Sequence, residues 1–138
     1  MRSITVQDCM TRSVVTLLPD MDVVEALRVL LKNNITAAPV IDQGGLVGIL
    51  SETDCLSSTL SASYYSQEGN LVSEFMETNV ITAKPLDSII DVYEQCMAEK
   101  ALRVPVLDED GTIIGMLSPK DLMAAVLEYY EKPVVRTG

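Results

Sequence analysis

The chain has 138 residues, 48% of them hydrophobic, and a formal charge of −10 with a pI near 4.3. That length suits one domain or two very small ones, and such acidity opposes nucleic acid and anionic lipid as partners. Histidine is absent, which removes the commonest general base, the commonest metal ligand and every Ser–His or Cys–His nucleophile pair.

Along the chain, the opening MRSITVQDCM lacks the apolar run of a signal peptide, and no stretch reaches the ~20 apolar residues of a membrane span. Three scattered cysteines, Cys9, Cys55 and Cys96, fit buried free thiols better than a disulfide framework or a zinc site. A cytoplasmic location is expected.

Val14-Val15-Thr16 is a β-branched run and predicts a strand. Pro19 follows, then an aspartate able to cap a helix whose apolar stripe is Val23, Val24, Leu27, Leu30 and Leu31. Residues 37–42, AAPVID, predict a second strand; Pro39 lacks an N–H and belongs at a strand start or an unpaired edge position. A turn at Gly44-Gly45 leads to a third strand, LVGIL, and Ser51 opens another helix. That helix should extend into SSTLSASYY, leaving Gln-Glu-Gly-Asn as the linker. The second half repeats this order. Val80-Ile81-Thr82 predicts a strand, and Ser88 and Asp91 offer a capping box. The next helix carries Ile89, Ile90, Tyr93, Cys96 and Met97, and RVPVLD is again a strand. Asp110-Gly111 is a hairpin turn, IIGML a strand, and Ser118 opens a helix with Pro119 in its first position and a stripe through Leu122, Ala125, Val126 and Tyr129 to Lys132-Pro133.

The two halves are copies. Val6 pairs with Val72, and at that offset of 66 residues Met10 meets Met76, Val14 meets Val80, Thr16 meets Thr82, Pro19 meets Pro85 and Pro39-Val40 meets Pro105-Val106. One extra turn residue later, Gly48 meets Gly115, Ser51 meets Ser118 and Asp54 meets Asp121. The expected fold is α+β, with two tandem βαββα repeats over residues 1–66 and 67–138. A three-stranded sheet with helices on one side leaves a face open, so the repeats should pack sheet to sheet with pseudo-twofold symmetry.

The ordered set Met-x3-Val-x-Thr-x2-Pro, apolar helix, Pro-Val-x-Asp and Gly-hydrophobic-hydrophobic-Ser-x-x-Asp, present twice, resembles the cystathionine-β-synthase (CBS) domain pair, or Bateman module. The resemblance spans about Val6 to Tyr130. It implies two clefts between the copies that take AMP, ADP, ATP or S-adenosylmethionine as a regulatory ligand, with no cofactor required. It also implies association into a homodimer of modules, and a regulatory attachment to an enzyme or transporter.

By the same resemblance, the ligand contacts fall on Ser51, Thr53 and Asp54 and on Ser118, Lys120 and Asp121, with Thr16 and Thr82 at the rim and Arg103, Val104 and Pro105 beside them. The chemistry is coherent. A carboxylate accepts both ribose hydroxyls, while a serine hydroxyl, free helix amides and a cation hold phosphate. An apolar slot takes the adenine. Ser-x-x-Asp before an apolar helix is equally a capping box, and the two roles are compatible. The copies are not equivalent, because Lys120 and Arg103 have Thr53 and Ala37 as counterparts and Glu52 adds negative charge to the first copy. No catalytic constellation is present, so a non-enzymatic ligand sensor is the leading reading. A ligand-free dimerisation module scaffolding a partner is the alternative. The tyrosine pairs Tyr64-Tyr65 and Tyr129-Tyr130 are candidate interface residues; the methionines and cysteines read as core.

Overall fold

The computed structural model describes residues 4–61 and 70–131. The expected interface pair Tyr64-Tyr65, the linker residues 67–69 and the helix end at Lys132-Pro133 lie outside the described residues. The elements are α1 (Val6–Cys9), α2 (Val23–Lys32), β1 (Ala37–Asp42), β2 (Gly45–Ser51), α3 (Glu52–Ser61), α4 (Val72–Phe75), α5 (Ile89–Glu99), β3 (Val104–Leu107), β4 (Ile113–Leu117) and α6 (Pro119–Glu131). β1 pairs antiparallel with β2, and β3 with β4. Gln43 and Gly44 both have positive φ, 51° and 81°, and connect the paired ends Asp42 and Gly45, as a tight two-residue hairpin of this hand requires.

The predicted strands at Val14–Thr16 and Val80–Thr82 shrink to single parallel bridges, Leu17 with Val40 and Ala83 with Val106. In each, two bonds form: Leu17 N–H to Pro39 O and Ile41 N–H to Leu17 O, both 2.9 Å, and Ala83 N–H to Pro105 O at 3.0 Å with Leu107 N–H to Ala83 O at 2.9 Å. The next rung backward needs an N–H from Pro39 or Pro105, and the next forward needs one from Pro19 or Pro85. Proline has none to give, so each strand is cut to one bridge from both sides.

The chain forms two compact units. One gathers residues 13–80 with 110–113, and the other gathers 1–12, 81–109 and 114–138. We call them the first-repeat and second-repeat units. Each takes its leading short helix from the other end of the offset. In the second-repeat unit α1 packs on α5 and α6, with Val6 N–H bonded to Asp87 O and Gln7 N–H to Pro85 O, both 2.9 Å, and Ile89 N–H to Ile4 O at 3.0 Å. In the first-repeat unit α4 packs on β2 and α3, with Val72 N–H on Met21 O at 2.8 Å, Ser73 N–H on Pro19 O at 2.9 Å and Val23 N–H on Asn70 O at 2.8 Å. Val6 and Val72 are fully buried, each a gain of roughly 1.5–3 kcal/mol.

The leading segment then runs along the third strand of its unit. Met10 crosses Gly115 and Met76 crosses Gly48. A Cβ at Gly48 would lie 2.8 Å from both Glu77 O and the Met76 sulfur; one at Gly115 would meet the Met10 sulfur and lie 3.2 Å from Thr11 O. These glycines are present because backbone and side chain approach too closely for any other residue.

Each unit has its own core. Leu17, Val23, Ala26, Leu30, Ala38, Val40, Leu50, Cys55 and Val72 build the first. Residues including Val6, Met10, Ile89, Val92, Cys96, Val104, Val106, Leu117, Leu122 and Ala125 build the second. The helix stripes expected from sequence are too wide. α2 buries Val23, Ala26 and Leu30, whereas Val24 and Leu31 are exposed; so are Met97 on α5 and Met123 and Tyr129 on α6, which corrects their expected core roles. The α2 cap is Asp22, whose side chain accepts from Val24 N–H at 2.7 Å. Ser88 occupies the N-cap position of α5 without a side-chain cap bond. The expected Ser88–Asp91 box is absent, and the first helical N–H, that of Ile89, donates to Ile4 O instead.

Candidate functional site

Both repeats pass from strand to helix without a loop, at Ser51 into α3 and at Ser118 into α6. A reciprocal box makes this possible. Ser51 N–H and Oγ–H both donate to Asp54 Oδ2, at 2.8 and 2.9 Å, and Asp54 N–H returns to Ser51 Oγ at 3.3 Å. Ser118 and Asp121 repeat the pattern at 3.0, 3.1 and 3.3 Å. The Ser-x-x-Asp turns are therefore helix caps. Both serine donors fall on Oδ2, so the cap occupies one carboxylate oxygen and leaves Oδ1 with acceptor capacity. That is how one residue can cap a helix and still receive a ligand hydroxyl.

The first-turn amides are used almost alike. In α3, Glu52 N–H donates to Thr36 O at 2.7 Å. In α6 the matching residue, Pro119, has no N–H. Leu122 N–H goes to Ser118 O at 3.0 Å. Among the described residues this leaves one first-turn amide open in each turn, that of Thr53 or of Lys120. In the second-repeat unit that amide comes with the exposed Lys120 side chain; in the first-repeat unit it comes with an uncharged, exposed Thr53.

The remaining sequence-predicted residues are placed as follows. Thr16 and Thr82 are exposed, each immediately before the residue that bridges to β1 or β3. Arg103 is half-buried just ahead of β3. Val104 is fully buried in the second core, and Pro105 O accepts from Ala83. Ser118, Lys120 and Asp121 share one turn of the second-repeat unit, to which Thr82, Arg103, Val104 and Pro105 also belong; Thr16, Ser51, Thr53 and Asp54 belong to the first-repeat unit.

Two residues not predicted from sequence adjoin this arrangement. Thr11 exchanges backbone bonds with Met116, 2.9 Å each way, and its Oγ1–H reaches Asp121 at 3.2 Å to Oδ2 and 3.3 Å to Oδ1. Its repeat counterpart Glu77 exchanges bonds with Ile49 at 2.9 and 2.8 Å, but its carboxylate accepts from Asn79 N–H at 3.0 Å. The Met-Thr and Met-Glu pairs are visible in the repeat alignment, so the charge difference is legible there. The contact with a residue 110 positions away is not.

The thiols are unsuited to nucleophilic chemistry. Burial first, then Asp8, Glu128 and Asp121, raise Cys9 from 9.0 to about 11. Burial and Asp54 push Cys55 up, and burial and Glu99 push Cys96 up. Each therefore stays a neutral thiol near pH 7. Among the described residues no group of three or more Cys, Asp or Glu side chains is placed to hold a metal, and no helix is long and apolar enough to cross a membrane.

The CBS domain family profile matches residues 6–60 and 72–128, both repeats. The chain belongs to the CBS domain family. Its CBS pair is 31% identical over 134 residues to an uncharacterised protein of Methanocaldococcus jannaschii, MJ1225, covering 91% of this chain but 46% of that relative, so the chain spans just under half of it. Among solved structures, the CBS pair resembles CBSX2 of Arabidopsis thaliana in complex with AMP, with a TM-score of 0.78 and 28% identity over 92% of this chain and 98% of that one. It also resembles the CBS domain pair of protein MJ0100 in complex with 5′-methylthioadenosine and S-adenosyl-L-methionine, with a TM-score of 0.79 and 25% identity over 89% and 99%.

Proposed function

We propose that this CBS pair is a non-catalytic sensor of an adenosine-type nucleotide, and that the second-repeat turn Ser118–Asp121 is its principal ligand contact. The observation that carries the reading is the state of Asp121: the cap takes Oδ2, and Oδ1, which Thr11 Oγ1 approaches at 3.3 Å, keeps acceptor capacity for a ribose hydroxyl. The open Lys120 amide, the Lys120 ammonium, the Ser118 hydroxyl and Arg103 supply positive potential for phosphate, which an acidic chain must provide locally. The AMP-bound and S-adenosylmethionine-bound relatives support this ligand class. AMP, ADP, ATP and S-adenosylmethionine are the candidates, acting as regulatory ligands on an attached or associated enzyme or transporter in the cytoplasm. Isothermal titration of each against the purified protein tests the reading. Binding of at least one below millimolar concentration, weakened by Asp121→Ala, is expected; no binding by the wild type overturns it.

A second reading has one observation in its favour. An apolar groove of about 460 Å³ runs between α5 and α6, lined by residues including Tyr93, Met97, Leu102, Met123, Leu127 and Tyr130. Met97, Met123, Leu127 and Tyr130 are exposed, so the groove is rimmed by apolar side chains in water, the kind of patch that marks an interaction site. Association of two copies through these helices would cover it. Light scattering at micromolar concentration decides: a dimer mass that falls to monomer in Leu127→Glu supports association, and a monomeric wild type removes it.

A further inference from the structure

We infer that Thr11 is a positioning residue that orients Asp121 for a ligand bearing a vicinal diol; the inference rests on the nucleotide-sensing reading above. Both serine donors of the cap converge on the same oxygen, Oδ2. Two bonds to one oxygen hold that atom but leave the carboxylate plane able to pivot, because an Asp χ2 torsion is intrinsically broad. Thr11 Oγ1 straddles the two oxygens, at 3.2 and 3.3 Å, and so fixes the plane and with it the direction in which Oδ1 points. Thr11 is itself fixed, since its N–H and C=O are both bonded to Met116 at 2.9 Å, and Met10 beside it is packed over Gly115.

The first-repeat unit is an internal control. Glu77 is held against Ile49 by the same pair of backbone bonds, yet its side chain turns to Asn79 N–H, and among the described residues the Asp54 carboxylate accepts from Ser51 alone. Asp54 therefore has the cap without the orienting hydroxyl, and it has a carboxylate on the neighbouring segment where Asp121 has an alcohol. Position 11 and its counterpart decide which of two equally capped turns offers an aligned, unopposed acceptor.

The test is a substitution series at position 11, read by calorimetric titration with AMP and with adenosine, and by thermal melting without ligand. Thr11→Val keeps the β-branched shape and loses the hydroxyl; affinity should fall roughly threefold to tenfold, the worth of one hydrogen bond, and equally for AMP and adenosine, because the effect passes through the ribose acceptor. Thr11→Ser should restore it. Thr11→Glu, which copies the first repeat, should weaken AMP more than adenosine by adding charge beside the phosphate site. Lys120→Ala is the reference, since it should weaken AMP selectively. If the wild type and Lys120→Ala behave as proposed but Thr11→Val binds as well as wild type or more tightly, Thr11 does not position Asp121. Failure of Thr11→Ser to restore binding overturns the inference equally, by making the role one of packing. If the wild type binds neither ligand, the nucleotide reading itself fails and takes this inference with it.

Discussion

At the end of β2, Asp54 accepts two bonds from Ser51; at the end of β4, Asp121 accepts the same two from Ser118 and a third from Thr11. The first turn carries Glu52, with Glu77 bonded to Ile49 two residues ahead of Ser51; the second carries Lys120, and its unit has Arg103 just ahead of β3. Duplication thus preserved the element that folding requires and let the neighbouring charges diverge. The cap recurs because a helix that starts directly from a strand must satisfy its first amides. The flanking residues carry no such burden and are free to specialise.

Substituting the two aspartates is the strongest way to break this comparison. Asp121→Ala should lower AMP affinity at least tenfold, since each charge-assisted bond is worth roughly 1.5–3 kcal/mol, while Asp54→Ala should change it by no more than about threefold. Both variants should lose similar stability, about 1 kcal/mol for a cap, measured by urea unfolding. Unequal stability losses with equal affinity losses would reverse the assignment of roles.

The glycine crossings offer the next largest effect. Gly48→Ala and Gly115→Ala should each destabilise by about 1–3 kcal/mol through overpacking. Gly48 should be the worse, because its added methyl meets the Glu77 carbonyl at 2.8 Å, against 3.2 Å to the Thr11 carbonyl at Gly115, and backbone yields less readily than a methionine side chain. Equal losses in a melting comparison would show that the methionine contact dominates at both sites.

A smaller effect separates charge from geometry. Lys120→Ala should weaken AMP a few-fold and adenosine hardly at all, and the difference should shrink as salt rises from about 0.01 to 1 M and the screening length falls. The matching change Thr53→Lys should strengthen AMP binding only weakly, because Glu52 and Glu77 remain.

The smallest is a chemical reporter. Cys9 titrates at about 11 instead of 9.0, with Asp121 among its causes after burial, Asp8 and Glu128. A folded value raised above the unfolded one contributes stability that is full below pH 9 and lost as pH climbs through about 11. Alkylation of Cys9 at pH 8 should therefore be slow, and Asp121→Ala should quicken it slightly without exposing Cys55 or Cys96. A slowing instead would contradict the electrostatic link between the two.

By itself the sequence determined the duplication, the order of the longer helices and the hairpins, and the Ser-x-x-Asp caps, because each depends on residues within a few positions of one another: a glycine able to take positive φ, a serine and an aspartate three apart, a proline at a helix start; the short leading helices α1 and α4 were not foreseen. It also displayed the charge difference between the turns. It overestimated the first strand of each repeat: Pro19 and Pro85, which cut the forward rung, stand beside the strand, but the backward rung is lost to Pro39 and Pro105, some twenty residues downstream. Tertiary structure alone decided which leading segment joins which core: VQDCM and VSEFM are near-copies, and nothing in either specifies whether it packs on the nearer or the farther repeat. The same choice brought Thr11 to Asp121 and left Glu77 beside the first turn. A hydrogen bond between residues 110 positions apart depends on where two segments meet in space, and local pattern carries no record of that.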